Sequence, residues 1–462
     1  MRALCVILAA CSLPVYAEDW PRFRGHNGSG LSKLSSIPVE FGAEKNLSWK
    51  VSVGPGHSSP VVCGKQLYLT SFTDDVLRTQ AFDVQTGKTL WSGDLPRDRK
   101  AKHHNLNNAA SPSPACDDKG VVVFFADFGL AAWNQDGKPG WRIPFSALVN
   151  NHGMASSPVL AGNRVILVRG SDQGSEVFAC NRDSGKPVWR DNLAGVTYST
   201  PAVTGSQVFV VSTGEVVAFD LHTGKRRWWM MGVPYQPKAS PILSADGKFL
   251  YFSALSVDEG SKTSLSSYDK LLQAFDVNGD GQITLAEVRE RKGPASGFVQ
   301  IDINGDGVFS RQEQEALMRI AEIPHTAAAV TTDSVGDQTG KQQWSLRKGV
   351  PNVASPVLAG DVLYLFKEGG ILTSVRAADG TVLKEGRIGT GVGPVYSSPV
   401  AAAGRLYIAN QQGKVFVLKA AAEWEVLAVN DLGEDCFATP AMAADRLFVR
   451  TANTLWCLRQ AD

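Results

Sequence analysis

Two twelve-residue stretches hold the most legible chemistry in this 462-residue sequence. The first is Asp276-Val277-Asn278-Gly279-Asp280-Gly281-Gln282-Ile283-Thr284-Leu285-Ala286-Glu287. The second is Asp302-Ile303-Asn304-Gly305-Asp306-Gly307-Val308-Phe309-Ser310-Arg311-Gln312-Glu313. Each places oxygen donors at positions 1, 3, 5, 7, 9 and 12, the pattern of a loop that wraps a hard divalent cation in six to eight oxygens. Asp276, Asn278 and Asp280 would supply side-chain oxygens, Gln282 its carbonyl, Thr284 a water-bridged contact, and Glu287 both carboxylate oxygens. Asp302, Asn304, Asp306, the carbonyl of Val308, Ser310 and Glu313 repeat those roles. Gly281 and Gly307 permit the sharp turn at position 6, and Ile283 and Phe309 stand where paired loops join by a short β contact. Two complete loops in tandem lead us to expect two bound calcium ions.

The elements that must hold these loops are short helices, as in an EF-hand pair. Ser267–Phe275 and Leu285–Lys292 flank the first loop, 295–301 and Gln312–Ala321 the second. The loops begin 26 residues apart, so the middle helices must be brief. Residues 266–322 hold 10 acidic against 6 basic side chains, a net of −4 inside a chain whose formal charge is only +1. That near-neutral total argues against a nucleic-acid binder, and 44% hydrophobic residues argue against a disordered chain. Tethered at both ends, the pair is expected to be a structural or docking clip in preference to an opening sensor.

The pair interrupts a repeat. Ser/Thr-Pro followed by small or branched apolar residues recurs at Pro60, Pro114, Pro158, Pro201, Pro241, Pro356, Pro399 and Pro440. The intervals are 54, 44, 43, 40, 115, 43 and 41 residues, so about 70 extra residues sit in the fifth copy. Later in most copies comes an Asp-x-x-Thr-Gly-Lys-like turn and a Trp, as in Asp83–Trp91, Asn181–Trp189, Asp220–Trp228 and Asp337–Trp344. Short β-rich runs at this period predict an all-β fold: an eight-bladed β-propeller of four-stranded blades, with a small α-helical EF-hand insertion in blade five. The Trp is expected to wedge between blades. After Pro440 room remains for only three strands, and residues 47–53 have the pattern of the missing fourth. The expected organisation is a signal peptide at 1–17, propeller at 18–253, insertion at 254–325, and propeller again at 326–462.

Leu221-His222-Thr223-Gly224-Lys225 with Trp228, and Val84-Gln85-Thr86-Gly87-Lys88 with Trp91, resemble repeats of the pyrroloquinoline-quinone-type propellers. That family includes quinoprotein alcohol dehydrogenases and the outer-membrane assembly lipoprotein BamB. Asp19-Trp20-Pro21-Arg22-Phe23-Arg24-Gly25 also resembles the start of exported bacterial proteins of this group. The resemblance implies the fold more strongly than an activity, because the repeated residues build blades. Quinoprotein dehydrogenases carry an adjacent Cys-Cys pair beside the quinone, and some a haem-attaching Cys-x-x-Cys-His; this sequence has neither. Pyrroloquinoline quinone is therefore an unsupported cofactor, and an enzyme is not the leading expectation.

Propeller sites usually lie at a channel mouth. The residues before each Ser/Thr-Pro include His57, His103, His104, Asn105, Asn108 and His152, then Tyr198, Tyr235, Asn352, Tyr396 and Cys436. They could form a funnel for a protein or small-molecule ligand, with His57, His104 and His152 as candidates; polar lining of a wet channel explains them more simply. The leading reading is an exported calcium-binding scaffold. The alternatives are a periplasmic quinoprotein-like oxidoreductase and a BamB-like outer-membrane protein assembly factor.

Arg2, the apolar Ala3–Leu13 and Val15-Tyr16-Ala17 read as a leader cleaved before Glu18, giving a periplasmic or extracellular chain. Leu8-Ala9-Ala10-Cys11 resembles a lipobox that would anchor the chain through Cys11, although the segment before it is short. No run is long enough to cross a bilayer as a helix. Beyond the leader Cys63, Cys116, Cys180, Cys436 and Cys457 match no metal or haem spacing, and no disulfide is expected. Cys180 and Cys457 read as small buried hydrophobes.

Overall fold

The computed structural model describes residues 18–461 apart from 149, 151, 173, 194, 257–266, 294–297, 299–301 and 303–305. The proposed leader, Cys11 and Asn304 lie outside the described residues, as does most of the expected helix at 295–301.

The Ser/Thr-Pro repeat builds a ring of eight four-stranded antiparallel sheets. Blade one comprises Val61–Cys63, Gln66–Phe72, Val76–Asp83 and Thr89–Pro96. Blades two to seven follow at 115–144, 159–193, 202–233, 242–346, 357–387 and 400–431. Blade eight takes its three inner strands from Ala441–Ala443, Arg446–Arg450 and Thr454–Leu458, and its outer strand from Leu47–Ser52, paired antiparallel to Thr454–Leu458. First and last strands thus share one sheet, which removes the seam a linear array would leave. Blade four gains a fifth, parallel strand, Gly336–Asp337, laid against Arg226–Val233.

The repeated residues have two distinct jobs. In each of the eight repeat pairs the Ser/Thr donates its backbone N–H to the hydroxyl of its counterpart in the next blade. Ser59 bonds Ser113, Ser113 bonds Ser157, Ser157 bonds Thr200 and Thr200 bonds Ser240. Ser240 bonds Ser355, Ser355 bonds Ser398, Ser398 bonds Thr439, and Thr439 returns to Ser59, all at 2.9–3.0 Å. This closed circle satisfies amides buried around the axis.

At the periphery the Trp of one blade reaches the turn of the next. Trp91 Nε1 donates to Gln135 O at 2.8 Å, and Trp141, Trp189 and Trp344 do the same to Arg182, Leu221 and Ala377. The ring lies so close to the turn glycine that a Cβ on Gly137 would stand 2.6 Å from Trp91 Cδ2. The apolar core accordingly lies between blades: Ile166 and Val168 of blade three pack with Val208, Val210 and Phe219 of blade four.

One expectation fails. Cys63 and Cys116 form a disulfide, with Cα atoms 6.1 Å apart. They lie three and two residues after Pro60 and Pro114, so the repeat sets them at the far ends of neighbouring innermost strands. Their 53-residue separation hid that proximity. Cys180, Cys436 and Cys457 are free and buried.

Candidate functional site

The insertion leaves blade five after Phe249–Ala254 and returns at Thr326–Thr331. In an antiparallel meander the second-to-third connection falls at the end where the innermost strand begins. The helix–loop–helix pair therefore lies on the same face as the residues that precede each Ser/Thr-Pro. Tyr268–Phe275 and Leu285–Glu290 flank the first loop, and Arg311–Ala321 leaves the second. Tyr268, Ile283, Val288, Phe298 and Phe309 form the insert's own small core.

The described residues of its loops are ordered by their own carboxylates and amides. Ile283–Thr284 pairs antiparallel with Val308–Phe309, joining the loops. The position-6 amides donate to the position-1 carboxylates: Gly281 N–H to Asp276 Oδ2 and Gly307 N–H to Asp302 Oδ2, both at 3.0 Å. Gly281 and Gly307 have φ of 78° and 84°, where a side chain would be strained. Gln282 and Val308 donate to Asp280 Oδ1 and Asp306 Oδ1. Thr284 and Ser310 cap the exiting helices in capping boxes with Glu287 and Glu313, and both glutamates are buried. Glu287 Oε1 also accepts from Val277 N–H. The Thr284 amide leads the hydrogen bonds that hold the Glu287 carboxyl below its usual range, in its ionised form. Among the described residues no group of three or more His, Cys, Asp or Glu side chains is gathered as a metal cluster. The donors face backbone amides, and their type, all hard oxygen in both loops, is what calcium requires.

The funnel residues fall into two aromatic chains on the same face. His57 stacks on Phe437 at 4.1 Å and 16°, and Phe437 stacks on Tyr396 at 5.5 Å. Elsewhere on the rim His104 lies 5.8 Å from His152, which meets Tyr198 edge-on at 5.6 Å. The structure thus brings His104 and His152 together and sets His57 in a separate stack. Burial, with the charges of Arg450 and His103, pulls His57 down to about 4. His152 is lowered too, by burial and by Lys238 and His104. Both imidazoles are neutral near pH 7 and offer acceptors, not charge. Cys436 is no reactive thiol: burial pushes it up to about 12.

Sequence reading missed Arg450, whose guanidinium is buried beneath His57. Its Nη1 donates to Ser58 O and Oγ and to Thr70 O, and its Nη2 to Gly54 O. The only signal was a basic residue ending an apolar run. Lys238, also unread, donates to Asn352 Oδ1 at 3.1 Å.

The opposite mouth is spanned by the N-terminal segment. Trp20 bridges Val62, Pro21 O accepts from Cys116 N–H, Arg22 donates to Pro201 O, and Arg24 to Pro356 O and Pro399 O. Leu31 then bridges Ala401 in blade seven. One face is therefore closed by the chain itself, while the other carries the funnel and the insert.

Comparison with known proteins matches this architecture. The family model described as outer membrane protein assembly factor BamB matches residues 42–230, 131–262 and 326–462. An EF-hand model matches 268–290, which covers the first loop. Outer membrane protein assembly factor BamB of Burkholderia pseudomallei (strain K96243) is 28% identical over 252 residues, 51% of this chain and 62% of the relative. That of Moranella endobia (strain PCIT) is 22% identical over 245 residues, 50% of this chain and 59% of the relative. The matches thus span about three-fifths of these relatives' length. BamB from Moraxella catarrhalis superposes with a TM-score of 0.54 at 12% identity, covering 90% of this chain and 99% of that one. A europium-containing methanol dehydrogenase gives 0.64 at 11% identity, covering 94% and 89%. Quinohemoprotein alcohol dehydrogenase from Comamonas testosteroni gives 0.60 at 14%, covering 96% and 81%. At such identities the structural likenesses speak for the fold alone.

Proposed function

The chain belongs to the family described as outer membrane protein assembly factor BamB, and from that premise we propose that it is an exported, calcium-loaded scaffold of the cell envelope. It docks a protein partner through its funnel face. The observation that carries this reading is the asymmetry of the two faces. Trp20, Arg22, Arg24 and Leu31 strap one mouth shut, while the histidine–aromatic rim and the insert share the other.

In this reading Asp276, Asn278, Asp280, Gln282 O, Thr284 and Glu287 hold one calcium ion. Asp302, Asn304, Asp306, Val308 O, Ser310 and Glu313 hold a second. Bound calcium ties each loop to the first turn of its exiting helix through Glu287 and Glu313, so it stiffens the insert as a rim element. The Cys63–Cys116 disulfide supports export, since such bonds persist in oxidising compartments. Among the described residues no helix is long and apolar enough to cross a membrane. Quinone-dependent oxidation stays outside the proposal. The sequence has no adjacent cysteine pair to lie beside the quinone, and Cys436, at the funnel's edge, is buried and protonated.

The test is site-specific photocrosslinking in intact envelopes, with the probe at Tyr396 on the funnel rim or at His222 on the strapped face. The proposal expects a discrete adduct from position 396 and none from position 222. The reverse pattern would refute it, as would a mature chain retained in the cytoplasm.

A further inference from the structure

On the strapped face two arginines, Arg22 and Arg24, have no acid among their hydrogen-bond partners in the described residues. Arg22 is 6% exposed and Arg24 0%, yet every hydrogen bond either guanidinium makes goes to a neutral carbonyl. Arg24 Nε and Nη1 have no partner among the described residues. Burial brings Arg22 down to about 10, and burial together with Arg22 brings Arg24 down to about 9. Two neighbouring buried cations with no counter-charge bonded to them among the described residues are costly to hold ionised. An anion nearby would offset that cost.

Beside Arg22 the surface offers a place for one. A cavity of ≈ 420 Å³ opens between the segment Pro21–Asn27 and the inner ends of blades three and four. Its walls include Arg22, His26, Asn27, Thr204 and His222, and among the described residues no Asp or Glu lines it. Asp220, the nearest acid in sequence to His222, turns its carboxylate to the amides of His222 and Thr223. The volume falls in the range of small-ligand sites, about 300–1,000 Å³. The segment is bent into its wall by a run of left-handed residues, Arg24 at φ 62°, Gly25 at 67°, Asn27 at 53° and Gly28 at 65°. Gly25 and Gly28 take these angles freely, whereas Arg24 and Asn27 are held there against their preference.

We propose that this cavity binds a small ligand through an oxyanion head, phosphate or carboxylate, held by Arg22 with His26 and His222. A guanidinium recognises either head through paired N–H donors, and imidazole, amide and hydroxyl groups supply the remaining donors. Occupancy would tie the strap to blades three and four and stabilise the closed mouth by mass action. The site is independent of the funnel, so it stands or falls apart from the docking role.

The full-length chain is titrated calorimetrically with sodium phosphate and, separately, sodium acetate, with ionic strength held constant by sodium chloride. Saturable one-site heat is expected from at least one of them. The stronger of the two tells a phosphorylated ligand from a carboxylate one. His222→Glu, which adds a carboxylate to the wall and leaves the strap's hydrogen bonds intact, is expected to weaken binding about tenfold or more. A crystal of the parent chain grown in phosphate should show the anion on Arg22, a readout that needs no variant. No saturable heat from either anion up to about 50 mM overturns the proposal. Unchanged affinity in a folded His222→Glu variant also overturns it, and so does equal displacement by chloride.

Discussion

Thr439 N–H donates to Ser59 Oγ at 3.0 Å across the junction where the last blade meets the first. It completes a circle that runs through all eight Ser/Thr-Pro pairs, so the ring is fastened at the axis as well as at the rim. Ser59→Ala leaves the Thr439 amide buried without an acceptor and is expected to cost about 1–3 kcal/mol. Ser59→Thr keeps the hydroxyl and should cost far less. Denaturant unfolding of the two variants checks the difference.

The rim fastening is tested at Gly137. Its φ of 77° disfavours a side chain, and Trp91 occupies the space a Cβ would need. Gly162 has φ of 54° but nothing within 4 Å of the place a methyl would take. Gly137→Ala should therefore destabilise by about 1–3 kcal/mol more than Gly162→Ala, the excess being steric. Equal losses in thermal melts would mean that Trp91 does not lock the neighbouring turn.

These two devices explain what was legible in the sequence. Ser/Thr-Pro and Trp/Gly recur because each blade solves the same two contacts, and that repetition makes the fold readable from the chain alone. The two EF-hand-type loops were readable because donor spacing within a twelve-residue loop is a local property. Arg22, Arg24 and Arg450 act once each, across blades far apart in sequence, and no period marks them. The Cys63–Cys116 bond escaped for the same reason: pairing depends on which strand ends the ring sets side by side.

Reduction should show what that bond contributes. It links strands 53 residues apart in sequence, so its loss frees the unfolded chain substantially. A Cys63→Ser, Cys116→Ser double variant is expected to lose about 2–4 kcal/mol. Thiol titration under denaturing conditions should count two fewer thiols in the unreduced than in the reduced parent chain.

Acid should loosen the funnel rim through His57. Its imidazole is neutral in the fold down to about pH 4, against an ordinary value of 6.5. Between these values the unfolded chain binds the extra proton, so stability rises with pH across that window and is lost on acidification. His57→Phe, which keeps a ring against Phe437, should show a flatter melting temperature over the same range. A parallel decline in parent and variant would assign the acid sensitivity elsewhere.

The central claim, that the insert is a calcium-loaded element of the scaffold, is tested most directly by calorimetric titration of the calcium-stripped chain. Two bound ions are expected in the parent, with a rise in the insert's protection from proteolysis. Glu287→Gln with Glu313→Gln removes the position-12 carboxylate from both loops. It should abolish both binding events while the propeller's own melting transition persists. No heat of calcium binding in the parent chain, or undiminished binding in the double variant, would contradict the claim.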